Sequence, residues 1–508
     1  MTSPPLAAVV EGFRRQLAAR GLADEVAYHE THISLVLLAG EYAWKFKKPV
    51  DFGFVDFSTL EKRRRACERE VALNRRYAPD LYLGVESIVL PDVTPSPCEY
   101  AVRMRRFANT DLLNERLARG AADAPMLADF GRRLAAWHAA TPAASDATLG
   151  SAALFRAQWQ ACLGAPLAAR LPNALRAALE QTLSAALPLL AARRAAGRVR
   201  ACHGDLHCAN VVAAGDTLLP FDCIEFNDEL AVIDTLSDAA FLLMDLDARG
   251  APGLGHAFMN PYLEAADEVP HLGLLPALLA YRALVRAKVA LLRAAQDDGE
   301  RGDDACRQAD AQVALATRYL ARDGRPGLVI THGPSGSGKS FHAARLAAAH
   351  GFVHLRSDIE RRRLAGLALD ARSGSTQDRG LYTPAATRAT YARLLELARA
   401  ALTAGFSVVV DATFLDAAER APFRALAEHL HAPFHLLRCE APVAELERRI
   451  EARAAAGKDV SEATVEVLAD QLARLTPLTR EELTMSLDAT AWVPGAADVA
   501  RLGRARPH

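Results

Sequence analysis

His203-Gly204-Asp205-Leu206-His207-Cys208-Ala209-Asn210, followed by Leu218-Leu219-Pro220-Phe221-Asp222, organises the reading of this 508-residue chain. The spacing is H-x-D-L-x-x-x-N, with a second aspartate closing a short apolar run downstream. Moving a phosphoryl group from a nucleotide to a hydroxyl needs such a set of groups. One carboxylate orients the hydroxyl and takes its proton. An amide oxygen and a further carboxylate hold the Mg²⁺ ions that neutralise charge between the β- and γ-phosphates. On that reading Asp205 is the base, and Asn210 and Asp222 are metal ligands.

The chain is too long for one hydrophobic core, so two or three domains are expected. Its composition, 51% hydrophobic and 24% charged, is that of an ordinary soluble globular protein. A formal net charge of −1, with arginines and acids interspersed, gives no basic stripe for a nucleic-acid partner. The N-terminal residues lack the basic-then-apolar order of a signal peptide. No apolar run approaches the ~20 residues that span a bilayer, and eight scattered cysteines make no disulfide framework. A reduced, cytoplasmic protein without a membrane partner is expected.

Upstream of the loop, residues 6–22 carry a helical apolar period. Two strand-like runs, 33–38 and 42–47, flank Ala39-Gly40-Glu41 and suit a hairpin. Residues 58–77 read as a charged helix opened by a Ser58 cap, with Glu61 three residues on. A strand lysine followed by a helix glutamate is how kinases fix the α- and β-phosphates, which points to Lys45 with Glu70. Lys47 shares the face of Lys45, so either lysine can be the phosphate contact. A basic surface strand beside a solvated helix is the plain alternative. Residues 86–90 and 99–106 extend the small sheet, and 112–201 turn mainly helical and alanine-rich.

Two other patterns compete near the loop. Asp51-Phe52-Gly53 spells a kinase metal motif, but it precedes the loop where the mechanism needs it to follow, so it is read as a turn. Cys202, His203, His207, Cys208 and Cys223 invite a zinc reading, yet their spacing is not a usual ligand pattern and no CxxC pair accompanies them. Downstream, Glu225, Asn227, Asp234 and Asp238 are candidates for substrate contacts or loop anchoring, and helix capping accounts for Asp234 and Asp238 equally well.

His203 to Asn210, with Asp222, resembles the aminoglycoside phosphotransferase branch of the kinase-like fold, whose loop reads H-G-D-x-H-x-x-N; most protein kinases have arginine where Gly204 stands. The resemblance covers roughly residues 30–300. It implies a bilobal fold and ATP-dependent transfer to a hydroxyl of a small molecule, with Asp205, Asn210 and Asp222 in the roles above. The sequence departs from the wider kinase pattern in one respect: no G-x-G-x-x-G precedes Lys45, and Glu30-Thr31-His32-Ile33-Ser34 occupies that place.

A second centre follows a helical, charged segment, residues 291–319, and a break at 321–327. The boundary is placed there, giving domains 1–323 and 324–508. The strand Leu328-Val329-Ile330-Thr331 runs into Gly333-Pro334-Ser335-Gly336-Ser337-Gly338-Lys339-Ser340, a P-loop in its required context of strand, loop and helix. Its glycines turn successive N–H groups towards one phosphate chain, Lys339 reaches the β- and γ-phosphates, and Ser340 binds Mg²⁺.

Ser357-Asp358-Ile359-Glu360-Arg361 follows the next strand. The segment resembles the P-loop small-molecule kinases, including the gluconate kinase, polynucleotide kinase and zeta-toxin groups, over roughly residues 328–485. That resemblance implies a base or metal-linked role for Asp358, with Arg361 three residues on. Phe406 to Val410 reads as a buried parallel strand ending in Asp411, a Walker-B-type metal carboxylate. Arg449 and Arg453, four apart on one helical face, can clamp the transferring phosphate, or else belong to a solvated face with Glu447 and Glu451.

The expected fold class is therefore multidomain α/β and α+β: a bilobal kinase-like domain followed by a P-loop NTPase whose parallel sheet is flanked by helices. The expected function is an ATP-dependent kinase for small-molecule hydroxyls with two nucleotide sites and Mg²⁺. The alternative is that one half is an ATP-binding regulatory or interaction module. A nucleic-acid-end kinase in the C-terminal half is a third reading, against which the absence of a basic stripe counts. The acceptor has no readable code.

Overall fold

The structure, a computed structural model, describes residues 5–22, 27–53, 55–91, 93–94, 96–296, 299–321, 325–369, 383–456, 464–489 and 502, with side chains at 453–456 excluded. The chain divides into two compact units: Met1–Ala161 with Leu190–Asp245, and Cys162–Leu189 with Leu246–His508.

The first unit opens with a five-stranded antiparallel sheet. Its strands are β1 (Ala27–Glu30), β2 (Ser34–Ala39), β3 (Tyr42–Lys47), β4 (Tyr82–Ile88) and β5 (Glu99–Arg105), in the order β1-β2-β3-β5-β4. β2 and β3 form the expected hairpin, turning at Gly40, which has φ +55. Val9, Val10, Phe13 and Leu17, one stripe of the helix Leu6–Ala19, pack on Leu37, Trp44 and Phe46.

The helix Leu60–Asn74 buries Cys67 and Val71 against Val102 and Met104. Its cap is Thr59, whose hydroxyl accepts from Lys62 N at 3.2 Å; the expected Ser58 instead bonds Asp56. With Thr59 as the cap, Lys62 stands at the third helical position and Glu61 at the second, so no capping box forms and the Glu61 carboxylate pairs with Arg64 and Arg65.

Beyond the sheet come helices, among them Ala124–Ala140, and two antiparallel strand pairs. β6 (Val199–Ala201) pairs with β9 (Val232–Asp234), and β7 (Val211–Ala214) with β8 (Thr217–Pro220). Residues 203–210 span the gap between β6 and β7, and Asp222 follows β8 directly.

The second unit is built on a parallel sheet: β10 (Leu328–His332), β11 (Val353–Arg356), β12 (Val408–Asp411), β13 (Phe434–Arg438) and β14 (Ser486–Asp488), ordered β11-β12-β10-β13-β14. β10 and β12 are buried throughout, which is why each opens as an apolar run without alternation before its polar end, Thr331-His332 and Asp411. The helices Pro252–Ala266, Leu275–Ala294 and Glu300–Leu320 belong to this unit. The charged segment 291–319 thus spans the end of one helix and most of another, with Gly299 at φ +69 before the second. Among the described residues no helix is long and apolar enough to cross a membrane.

Candidate active sites

The loop after β6 is fixed by groups distant in sequence. Asp238, buried in the helix Thr235–Ala248, accepts the N–H of His203 at 3.1 Å and of Gly204 at 2.9 Å, and faces His138 Nε2 at 3.2 Å. Asp245 accepts Cys208 N at 2.9 Å. His203 Nε2 donates to Phe221 O at 2.8 Å, tying the loop to the chain just before Asp222. Burial holds the His203 imidazole below its usual range, with the nearby acids only partly offsetting this. Gly204 has φ +85, and a Cβ there would lie 2.8 Å from Leu230 O. Glycine at this position is therefore a steric requirement of the loop as well as a mark of the family resemblance.

Asp205 is partly exposed, and Asn210 holds it: Nδ2 donates to Asp205 O at 3.0 Å and Oδ2 at 3.2 Å. That leaves the Asn210 amide oxygen as the atom for a cation. Asp222 has φ +64, its N–H donates to the Tyr82 hydroxyl at 3.0 Å, and its carboxylate is partly exposed. An amide oxygen and a carboxylate are hard donors that fit Mg²⁺.

Lys45 bridges Glu70, at 2.9 Å, and Asp222. Lys47, fully buried, bridges Glu70 and Glu225. Burial pushes the Asp222 carboxyl up, but the Lys45 ammonium outweighs it and holds the group below the usual carboxylate range. Burial likewise works against charge on Lys45, and the carboxylates of Asp222, Glu70 and Glu225 more than offset it. The geometry separates the two lysines: Lys45 meets the Asp222 carboxylate, whereas Lys47 is buried with Glu70 and Glu225.

Asn74, on the same helix as Glu70, accepts Cys223 N at 3.0 Å. This anchors the segment that carries Asp222. Asn74 and Asp245 carry no motif of their own, since each acts on a loop far away in the chain; Asp238, a candidate for substrate contact, loop anchoring or capping, anchors the loop.

The competing patterns resolve into ordinary structure. Asp51 accepts Gly53 N at 3.0 Å in an exposed turn. Among the described residues the cluster that could geometrically hold a metal is His138, Cys202 and Asp238, but Asp238 already accepts the two backbone N–H groups of the loop. All eight cysteines are thiols and seven are buried.

In the second unit the P-loop joins β10 to the helix Lys339–His350. Gly333, Gly336 and Gly338 have φ of +148, +82 and +88, and a Cβ at Gly333 would lie 2.2 Å from Cys439 O. Pro334 O accepts from Ser337 Oγ at 2.8 Å and from Lys339 Nζ at 2.7 Å, and Ser335 N donates to Gln471 at 2.8 Å. Asp411 lies beside Ser340 and Lys339. Burial raises its carboxyl, but the facing His354 imidazole, the Ser340 hydroxyl and the Lys339 charge together hold it below the usual range. A hydroxyl next to an ionised buried carboxylate fits Mg²⁺.

A cavity of about 650 Å³ brings Ser335, Gly336, Gly338, Lys339 and Ser340 together with Asp411, Asp358, Arg361 and Arg449. Arg361 Nη1 faces Asp358 at 3.3 Å. Arg449 pairs with Glu445 at 2.6 Å, not Glu447 or Glu451, and reaches Gly336 O at 3.3 Å. The side chain of Arg453 lies outside the described residues. Tyr391, Glu419, Gln471 and Arg474 also line the cavity and had no sequence signal, because they come from helices without a spacing rule.

Residues 103–274 match the model of the "Phosphotransferase enzyme family", and residues 328–478 match the "AAA domain" model. The protein is a phosphotransferase with a kinase-like fold followed by a P-loop NTPase fold. The chain belongs to the family of two uncharacterized mycobacterial proteins, Rv2004c of Mycobacterium tuberculosis (strain H37Rv) and Mb2027c of Mycobacterium bovis; each is 33% identical over 467 residues, covering 90% of this chain and 92% of the relative. Among solved structures, a choline/ethanolamine kinase family protein from Mesorhizobium loti is 16% identical, with a TM-score of 0.38, over 61% of this chain and 99% of its own. A gluconokinase from Sinorhizobium meliloti 1021 is 22% identical, with a TM-score of 0.24, over 35% of this chain and 89% of its own.

Proposed function

We propose that the protein is an ATP- and Mg²⁺-dependent kinase for hydroxyl groups of small molecules. It has two centres, one in each of the modules 1–323 and 324–508. In the first, Lys45, held by Glu70, contacts the α- and β-phosphates, Asn210 and Asp222 hold Mg²⁺, and Asp205 takes the hydroxyl proton. In the second, residues Gly333 to Ser340 cradle the phosphates, Ser340 and Asp411 hold Mg²⁺, and Asp358 takes the proton. Arg361, Arg449 and Arg453 counter charge on the transferring phosphoryl group. Bound Mg²⁺ would neutralise charge between the β- and γ-phosphates. The working compartment is the cytoplasm, and the acceptor is a small molecule, not a nucleic acid.

The observation that carries this reading is the bridge from Lys45 to both Glu70 and Asp222, beside an Asn210 that grips Asp205. A basic surface strand would leave the ammonium in water. Here one cation gathers the carboxylates from a strand-flanking helix and from the segment after the loop. The Ser340–Asp411 neighbourhood supplies the corresponding set in the P-loop module.

The test uses radiolabelled ATP and a panel of sugars, polyols and amino alcohols with the full chain carrying Asp205→Ala or Lys339→Ala. Each change is expected to abolish one set of labelled products and spare the other. Product formation that survives both changes together would overturn the proposal. All labelling surviving one change would favour a regulatory role for that half. Oligonucleotides are expected not to compete with labelling.

A further inference from the structure

β11 ends one edge of the parallel sheet, and an open edge presents N–H and C=O groups with no strand to meet them. Asn260, in the helix Pro252–Ala266, meets two of them. Its Nδ2 donates to Phe352 O at 3.1 Å, and its Oδ1 accepts from His354 N at 3.0 Å. A primary amide thus supplies the donor and acceptor that a neighbouring strand would offer. Covering an edge needs no more than this, but the same helix reaches further. The Glu264 carboxylate lies 3.6 Å from Arg356, and its carbonyl accepts from Arg363. Asp267, at the helix end, pairs with Arg393 at 2.9 Å, and Arg393 also meets Glu360 at 3.4 Å.

These contacts converge on the residues that build one wall of the P-loop cavity. The ring of His354 faces Asp411 at 3.5 Å. Arg356 lines the cavity, and the helix Ser357–Leu364 begins directly after it with Asp358 and Arg361. Two side-chain bonds and the Glu264–Arg356 pair fix the strand just before that helix; Asp267 reaches the helix directly through Arg363, at 3.8 Å, and by way of Arg393 through Glu360. The residues that do this lie within the 103–274 match to the phosphotransferase family, not within the P-loop match.

We infer that Asn260 and Glu264 are positioning residues of the P-loop centre: they hold Asp358 and Arg361 in place, so that this centre is complete only with a helix from the other family's sequence. The inference rests on Asp358 acting in the P-loop reaction. Catalytic groups displaced by about an ångström can lose rate a hundredfold while phosphate binding is unchanged.

The experiment uses the full chain with Asp205→Ala, so that phosphate release from Mg·ATP, with water as acceptor, reports on the P-loop centre. Asn260→Leu removes both hydrogen bonds at similar volume. Glu264→Gln, a milder change, removes only the charge facing Arg356. Each is expected to lower kcat roughly tenfold with KM for Mg·ATP within about twofold, and to speed amide exchange across residues 353–364. Unchanged kcat in both variants would overturn the inference, as would a fall in kcat matched by loss of Mg·ATP binding. An Asp358→Asn control keeps the readings apart: if it leaves phosphate release intact, the role of Asp358 fails; if it abolishes release while the positioning variants keep full rate, only the inference fails.

Discussion

Gly204 shows what a single residue decides in the first centre. Its φ of +85 and the carbonyl of Leu230 leave no room for a side chain. Gly204→Ala is therefore expected to cost about 1–3 kcal/mol and to displace Asp205, seen as a lowered unfolding midpoint together with lost activity. Asp247 offers a test that does not touch either centre. It is buried, its Oδ2 accepts from Tyr319 at 2.8 Å, and burial pushes its carboxyl up to about 7. A carboxyl raised in the folded state gives stability that is present below its unfolded value of 3.8 and lost as pH rises to about 7. Asp247→Asn should accordingly stabilise the chain at about pH 8, and that advantage should shrink towards about pH 4 in denaturant titrations. Asp205, Asn210 and Asp222 were legible in the sequence because the chemistry sets their spacing. Asp238 was named among the candidates for loop anchoring, and it anchors the loop; Asp245 was not legible, since a buried aspartate bonding a distant backbone looks like any helical acid.

At the scale of elements, the helix Leu60–Asn74 does two things at once. Glu70 gathers Lys45 and Lys47, and one turn later Asn74 anchors Cys223 N. Asn74→Ala leaves that buried N–H unsatisfied, with an expected loss of about 1–3 kcal/mol, and frees the segment bearing Asp222. Thermal melts read the first effect, and a raised KM for Mg·ATP in the Lys339→Ala background reads the second. The sequence pointed to this helix and to Glu70, because charge periodicity and the preceding lysine strand are local signals. It misplaced the cap, for Ser58 and Thr59 are adjacent and equally able to cap; only the backbone geometry selects Thr59. β10 and β12 were readable as buried strands because parallel strands covered on both faces lose their alternation. The partner of the β11 edge was not readable, because Asn260 lies far away in a helix and follows no periodic rule.

At the scale of the molecule, two loop motifs were enough to indicate a kinase-like domain followed by a P-loop domain. Compactness divides the chain differently from the boundary read at 323, grouping residues 246–321 with the P-loop sheet. Family motifs lie in loops and mark descent, whereas compact units follow packing, and nothing in the break at 321–327 reports which neighbour a preceding helix chooses. Two nucleotide sites on one chain remain the central claim, and nucleotide stoichiometry tests it without knowledge of either acceptor. Calorimetric titration of the full chain with Mg·ADP should give two nucleotides bound per chain, one after Lys339→Ala, one after Lys45→Ala and none in the double variant. A stoichiometry of one in the native chain, abolished by either change alone, would contradict the account.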